Sequence, residues 1–361
     1  MAEWLRERSI DQIDPDDFPV ELKDRLAGSH LKKRVIHVAC TVPEKSFDYI
    51  MAAKKCLGTP GNDRVILHMS GDPYPLVSYM LGSLIDMDLG TAGIMIGDDG
   101  QELLYPGAIF PRVSPSPNVC RKDEAETTII HNCSNVLGLG AVNLTPEEAV
   151  EAIRSWAASE FDPFGAEGGV RLRRYLQAVK IGQCESKAGD PAARMAPAAG
   201  GKRLLFYADH RGHDTKQYLM EMFRDCAYEL IDLGTYSKER CDYPVFAARA
   251  AEALASNPAD GTFAIGICGS GIGAAAAAKA YNVRGARGLS EQDAVKARRR
   301  YNANLLTLPA GDGSSGCMGR AVRMIGQFLA TRFDPDAAPY YDLMLRKGTD
   351  ALVATRSLYQ P

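Results

Sequence analysis

The chain has 361 residues, 46% of them apolar and 24% charged, which is room for two ordinary domains and the make-up of a soluble globular protein. A net charge of −3 and a pI near 6.1 give no basic surplus to recruit nucleic acid or an anionic membrane as partner. Nine cysteines cannot all pair; no C-x-x-C and no zinc-type Cys/His spacing occurs, so reduced cysteines in a cytoplasmic protein are expected.

Residues 1–33 read as an N-terminal extension. They are charged, are broken by Pro15 and Pro19, and lack the apolar core of a signal peptide. No run reaches the length of a membrane span. A first domain is expected over 34–180. Its strands are Arg34–Ala39, Arg64–Met69 and Ala92–Ile96. His131-Asn132 sits on a loop approaching a further strand, and Pro146–Ser159 is a helix. A linker follows at 181–201, where Gly189–Gly201 is rich in Ala, Gly and Pro without apolar periodicity.

The second domain, 202–361 with its C-terminal tail, alternates in the same way. Arg203–Ala208, Tyr228–Leu233, Thr262–Cys268 and Asn304–Leu308 are strands; Thr215–Asp225, Tyr243–Ala255, Ala274–Ala280 and Gly319–Thr331 are helices. Short apolar runs alternating with helices argue for βαβ units and a parallel sheet. The expected fold class is α/β: two doubly wound, Rossmann-like parallel-sheet domains related by internal duplication. The duplication rests on matched order and spacing. Asp72-Pro73-Tyr74-Pro75 stands where the second half has Asp242-Tyr243-Pro244. The segment 131–137 stands where the second half has 300–306.

The strongest local signal is Gly266-Ile267-Cys268-Gly269-Ser270-Gly271-Ile272-Gly273, at a strand end before a helix. Glycines allow a sharp turn and close approach to a ligand. Free N–H groups at the following helix start favour negative charge. A cysteine there is expected to have a lowered pKa and to act as base or nucleophile. The bland alternative is a small buried cysteine. Gly269, Gly271 and Ala274 also fit G-x-G-x-x-A, the dinucleotide pattern, but that fingerprint usually follows the first strand of its domain and this one follows the third.

Four weaker signals accompany it. Asp209-His210 ends the first strand of the second half, where parallel sheets bind ligands; a capping Asp with a surface His is the structural alternative. Asp242-Tyr243-Pro244 opens a helix, as caps do, with Tyr243 able to face a cleft. His131-Asn132 suits a general acid, against a hydrogen-bonded loop His. Arg171-Leu172-Arg173-Arg174 suits phosphate, against a solvated helix face.

Taken together, these residues resemble the type B ribose-5-phosphate isomerase and galactose-6-phosphate isomerase family. The resemblance is carried by Asp209-His210, Gly234-Thr235, Arg240-Cys241-Asp242-Tyr243-Pro244 and Cys268-Gly269-Ser270-Gly271-Ile272-Gly273, strongly over 202–333 and weakly over 34–180. It implies an aldose–ketose isomerase of a sugar phosphate that needs no metal and no cofactor. It implies a dimer with each site built from two subunits. Cys268, Ser270, His131 and Asp209 are the implied catalytic residues. His210, Tyr243, Gly269, Gly271, Gly273, Asn132, Arg171 and Arg174 are the implied substrate-binding residues, with Arg173 able to replace Arg171.

Each half lacks what the other keeps. The second half has Arg300-Tyr301 where the family has His-Asn. The first half has Cys40-Thr41 for Asp-His and Gly97 for the loop cysteine. The expectation is a fused pseudo-dimer with one composite site, and a homodimer of such fused chains. The competing expectations are a non-catalytic sugar-phosphate binding protein and an NAD-type oxidoreductase.

Overall fold

The computed structural model describes residues 1–24, 35–42, 44–57, 65–69, 80–82, 84–85, 90–101, 110, 112–159, 169–183, 202–256, 261–280 and 283–334. The proposed Gly189–Gly201 linker and Asp72-Pro73-Tyr74-Pro75 lie outside these residues. The chain divides into two compact units, built on Met1–Val179 and Lys180–Tyr341.

The first unit is a five-stranded sheet of order β2-β1-β3-β5-β4. Its strands are β1 (Val35–Cys40), β2 (Val65–Met69), β3 (Thr91–Gly97), β4 (Pro115–Ser116) and β5 (Val136–Gly140). All pairs are parallel. Its helices are α1 (Ala2–Arg6), α2 (Ser46–Leu57), α3 (Lys122–Asn132), α4 (Pro146–Ala158) and α5 (Val170–Gln183). Thr145 and Glu148 form a capping box with Pro146 in the first turn, so α4 starts where its first free N–H groups are satisfied. The N-terminal segment is integral to this unit. Leu5, Ile13 and Phe18 are buried, Trp4 meets Phe18 edge-on at 5.0 Å, and the Gln177 amide of α5 donates to the Ile10 carbonyl at 3.3 Å.

The second unit repeats the plan with order β7-β6-β8-β10-β9. Its strands are β6 (Arg203–Ala208), β7 (Glu229–Asp232), β8 (Thr262–Cys268), β9 (Gly285–Arg287) and β10 (Leu305–Pro309). All pairs are again parallel. Its helices are α6 (His213–Met222), α7 (Tyr243–Ser256), α8 (Glu291–Tyr301) and α9 (Ser315–Ala330). The central strands β3 and β8 are buried along their whole length, as expected where helices cover both faces of a parallel sheet.

The likeness of the units extends to single bonds. Cys133 and Asn302 both end a helix in the left-handed region, at φ 51° and 45°. The Asn135 side-chain oxygen accepts from Ser114 N at 2.7 Å, and that of Asn304 from Arg284 N at 2.7 Å. In both units a side-chain carbonyl thereby ties the start of the fourth long strand to the edge strand.

Two elements differ from expectation. Ala274–Ala280 is a 3-10 segment, Gly273–Lys279, rather than an α-helix. His131-Asn132 closes α3 instead of lying on a loop; His131 therefore sits at the helix end whose dipole favours a cation.

His37 on β1 and His68 on β2 bring Nδ1 and Nε2 to 2.8 Å. Burial lowers both pKa values, and for His37 the neighbouring His68 lowers it further. The native state therefore binds fewer protons than the unfolded chain. Stability is full above the ordinary histidine value of 6.5 and falls as pH drops through the lowered native values. Thermal unfolding at pH 7.5 and 5.5 should show this loss for the native chain, and His37→Gln/His68→Gln should flatten it.

Candidate active site

In doubly wound sheets the ligand crevice lies at the carboxyl ends of the strands, where the strand order reverses. In the second unit that place is between β6 and β8. Asp209 follows β6, and its N–H donates to Ile267 O at 3.1 Å. Its Oδ1 accepts from Arg211 N at 2.9 Å and Gly212 N at 3.1 Å. The carboxylate is thus held by the turn it caps. His210 Nδ1 lies 3.2 Å from Cys241 O and 3.3 Å from Cys241 N. The tautomer that accepts the Cys241 N–H presents an Nε2–H for an anion.

Cys268 ends β8, and only 4% of it is exposed. Its carbonyl accepts from Gly271 N at 3.3 Å and Ala310 N at 2.9 Å, and Ala274 N donates to Sγ at 3.3 Å. Gly271 has φ 79°, the left-handed conformation that glycine takes at no steric cost. Ser270 Oγ accepts from Ile272 N at 3.2 Å, which leaves its proton free to be donated. The Tyr243 ring packs on Gly273, 3.0 Å from where a Cβ would stand. Tyr207 beneath the loop donates to Ala274 O at 2.6 Å.

The lowered thiol pKa expected from the glycine loop is not what the site produces. Burial raises it, and the Asp209 carboxylate raises it further; the N–H groups of Ala274, Ser270 and Gly271 pull the other way and lose. Desolvation of a charge in a closed pocket outweighs a few backbone dipoles. Cys268 therefore rests as a thiol.

The dinucleotide reading of the loop finds no α-helix start behind it. That fingerprint needs glycine backbone open to a pyrophosphate and an α-helix start behind it. Here the Arg211 guanidinium covers Gly269, with atoms 2.8–3.1 Å from the Cβ position, and Tyr243 covers Gly273. The segment behind is 3-10.

The second unit thus gathers Asp209, His210, Tyr243, Cys268, Gly269, Ser270, Gly271 and Gly273 at the carboxyl ends of the neighbouring strands β6 and β8. His131, Asn132, Arg171 and Arg174 belong to the first unit. His131 and Asn132 are partly buried at the end of α3; Arg174 is buried on α5 and Arg171 partly so. In the first unit the counterpart loop keeps its shape without the thiol. Gly100 has φ 73°, and Asp99 Oδ1 accepts from Gln101 N at 3.1 Å as Ser270 Oγ does from Ile272. Gly97 stands at the cysteine position, as expected. The Asp-His counterpart shifts by one residue: Thr41 N donates to Ile96 O at 2.9 Å, so Thr41-Val42, rather than Cys40-Thr41, replaces Asp209-His210.

Sequence reading missed two arginines. Arg211 immediately follows the Asp-His pair, which was signal enough to examine it. Arg287 is buried, and its Nε donates to Ser270 O at 2.8 Å; an arginine closing the short strand Gly285–Arg287 was the only hint. Among the described residues no group of three or more His, Cys, Asp or Glu is placed to hold a metal ion. No helix among them is long and apolar enough to cross a membrane.

Residues 204–339 match the model of the family described as Ribose/Galactose Isomerase. The galactose-6-phosphate isomerase subunit LacB of Clostridium acetobutylicum is 32% identical over 148 residues, 40% of this chain and 80% of its own length. The chain belongs to the ribose/galactose isomerase family. Ribose-5-phosphate isomerase B of Escherichia coli is 36% identical over 101 residues, which span 28% of this chain and 66% of that protein. Among solved structures, ribose-5-phosphate isomerase B of Mycoplasma genitalium with bound ribulose-5-phosphate is 29% identical. It covers 40% of this chain and 94% of its own, at a TM-score of 0.37. The family model falls on the unit that carries the cysteine loop. The isomerase family assignment therefore rests on the half that also holds Cys268, Asp209 and His210.

Proposed function

We propose that the chain is a metal-independent aldose–ketose isomerase of a sugar phosphate, ribose 5-phosphate or a close relative, working through a cis-enediolate. The observation that carries this is the buried Cys268 thiol at the reversal point of the second sheet, with Asp209 beside it and backbone N–H groups aimed at its sulfur. The minor thiolate form takes the proton from C2 of the open-chain aldose and returns it to C1. The enediolate between is stabilised by the Ser270 hydroxyl and by the N–H groups of Gly269 and Gly273, the loop donors not already given to Cys268 or Ser270, each such donor supplying ~3 kcal/mol. Asp209 and Tyr243 orient hydroxyls, a role the family resemblance also gives to Asn132.

The family resemblance assigns ring opening to His131 and phosphate binding to Arg171, Arg174 and His210. The first unit, with Gly97 for the thiol, runs no reaction of its own, and the fused chains pair as a homodimer. The support is complementary loss: the second unit has Arg300-Tyr301 where His131-Asn132 stand in the first.

The test is EDTA-treated protein with four-, five- and six-carbon aldose and ketose phosphates, followed by proton NMR. Interconversion of one pair is the expected result. Binding of a sugar phosphate by the folded protein with no interconversion would instead make it a binding protein.

A further inference from the structure

Arg211 is exposed, yet its guanidinium does not drift into solvent. Nη1, Cζ and Nε lie 2.8, 2.9 and 3.1 Å from the Cβ position of Gly269, so the charge lies flat against the residue that follows Cys268. Its own N–H is pinned by Asp209, which fixes where the side chain starts. Among the described residues no carboxylate pairs with this guanidinium. An arginine held over a glycine loop, beside a histidine with a free ring nitrogen, is an anion-binding arrangement whose fork is still open.

The first unit supplies an internal contrast. Thr41 occupies the position of Asp209, and two residues on the chain has Pro43, not an arginine. The loop residue in the place of Gly269 is Asp98. Where the thiol is gone, the cation is gone and the loop has become acidic. The arginine accompanies the equipped loop.

We propose that Arg211 is a substrate-binding residue of the Cys268 site that grips the substrate's phosphate together with His210. This deepens the isomerase reading, and the phosphate as substrate group rests on it. It adds to the site a cation from the same unit as the thiol, one turn residue away from Asp209.

Inorganic phosphate is the probe, titrated calorimetrically into the full chain and into Arg211→Met and Arg211→Lys. Loss of a charge-assisted contact should weaken phosphate roughly tenfold to a hundredfold in Arg211→Met, with Arg211→Lys between. Melting temperature without phosphate should not move, because the side chain is exposed and covers only a glycine. With a turned-over sugar phosphate, KM should rise by a similar factor while kcat changes much less. Unchanged phosphate affinity in a folded Arg211→Met, or no phosphate binding by the native chain at tens of millimolar, would overturn the assignment. Arginine-dependent phosphate binding without turnover of any sugar would sink the isomerase reading and leave Arg211 as a phosphate-binding residue.

Discussion

Cys268→Ala is expected to lower sugar-phosphate isomerisation by roughly 10²–10⁴-fold, the usual contribution of a positioned acid–base group. The substitution removes one buried sulfur and leaves the strand pairing of β8 intact, so the folded state should survive. A steeper diagnosis comes from pH. The base form is the thiolate, and burial together with Asp209 raises the thiol pKa above its ordinary value of 9.0. Activity should therefore climb with pH through and beyond that value. Asp209→Asn keeps an oxygen to accept from the Arg211 and Gly212 N–H groups but removes the carboxylate charge. The rising limb should then shift to lower pH. A limb centred well below 9, unmoved by Asp209→Asn, would assign the base to another group.

His131→Ala should also cost roughly 10²–10⁴-fold, although His131 and Cys268 sit in different units of the chain. The loss should be largest with the closed-ring aldose and smaller with the ketose, because ring opening is the step assigned to His131. The limb contributed by Cys268 should keep its position in this variant. Near-native turnover by His131→Ala, with Cys268→Ala inactive, would show that the second unit works without His131.

Much of the fold was legible because it is written in apolar runs. Arg203–Ala208 and Thr262–Cys268 are strands with the bounds their buried runs suggest. The repeat was legible because matching segments recur in order, down to the asparagines that became the left-handed cap and the side-chain brace of the second unit. Small-residue stretches misled: Gly273–Lys279 is nearly all alanine, the best helix former, yet it is 3-10, with the Tyr243 ring on Gly273 and the Tyr207 hydroxyl on the Ala274 carbonyl. The places of Cys268, Asp209 and His210 at strand ends could be read from the sequence. The raised thiol pKa could not, because burial and the facing carboxylate are properties of packing and not of the motif. Arg287 was equally hidden, since its Nε reaches the Ser270 carbonyl from the end of the edge strand β9.

The most direct test of the account is solvent exchange on the substrate that turns over. The native chain, stripped with EDTA, is incubated with that sugar phosphate in D₂O, and the C1 and C2 proton signals are followed by NMR beside Cys268→Ala. The account predicts deuterium entering at the transferred position with the native chain and essentially none with Cys268→Ala. Wash-in at the native rate with Cys268→Ala, in a sample shown to be folded, would contradict it.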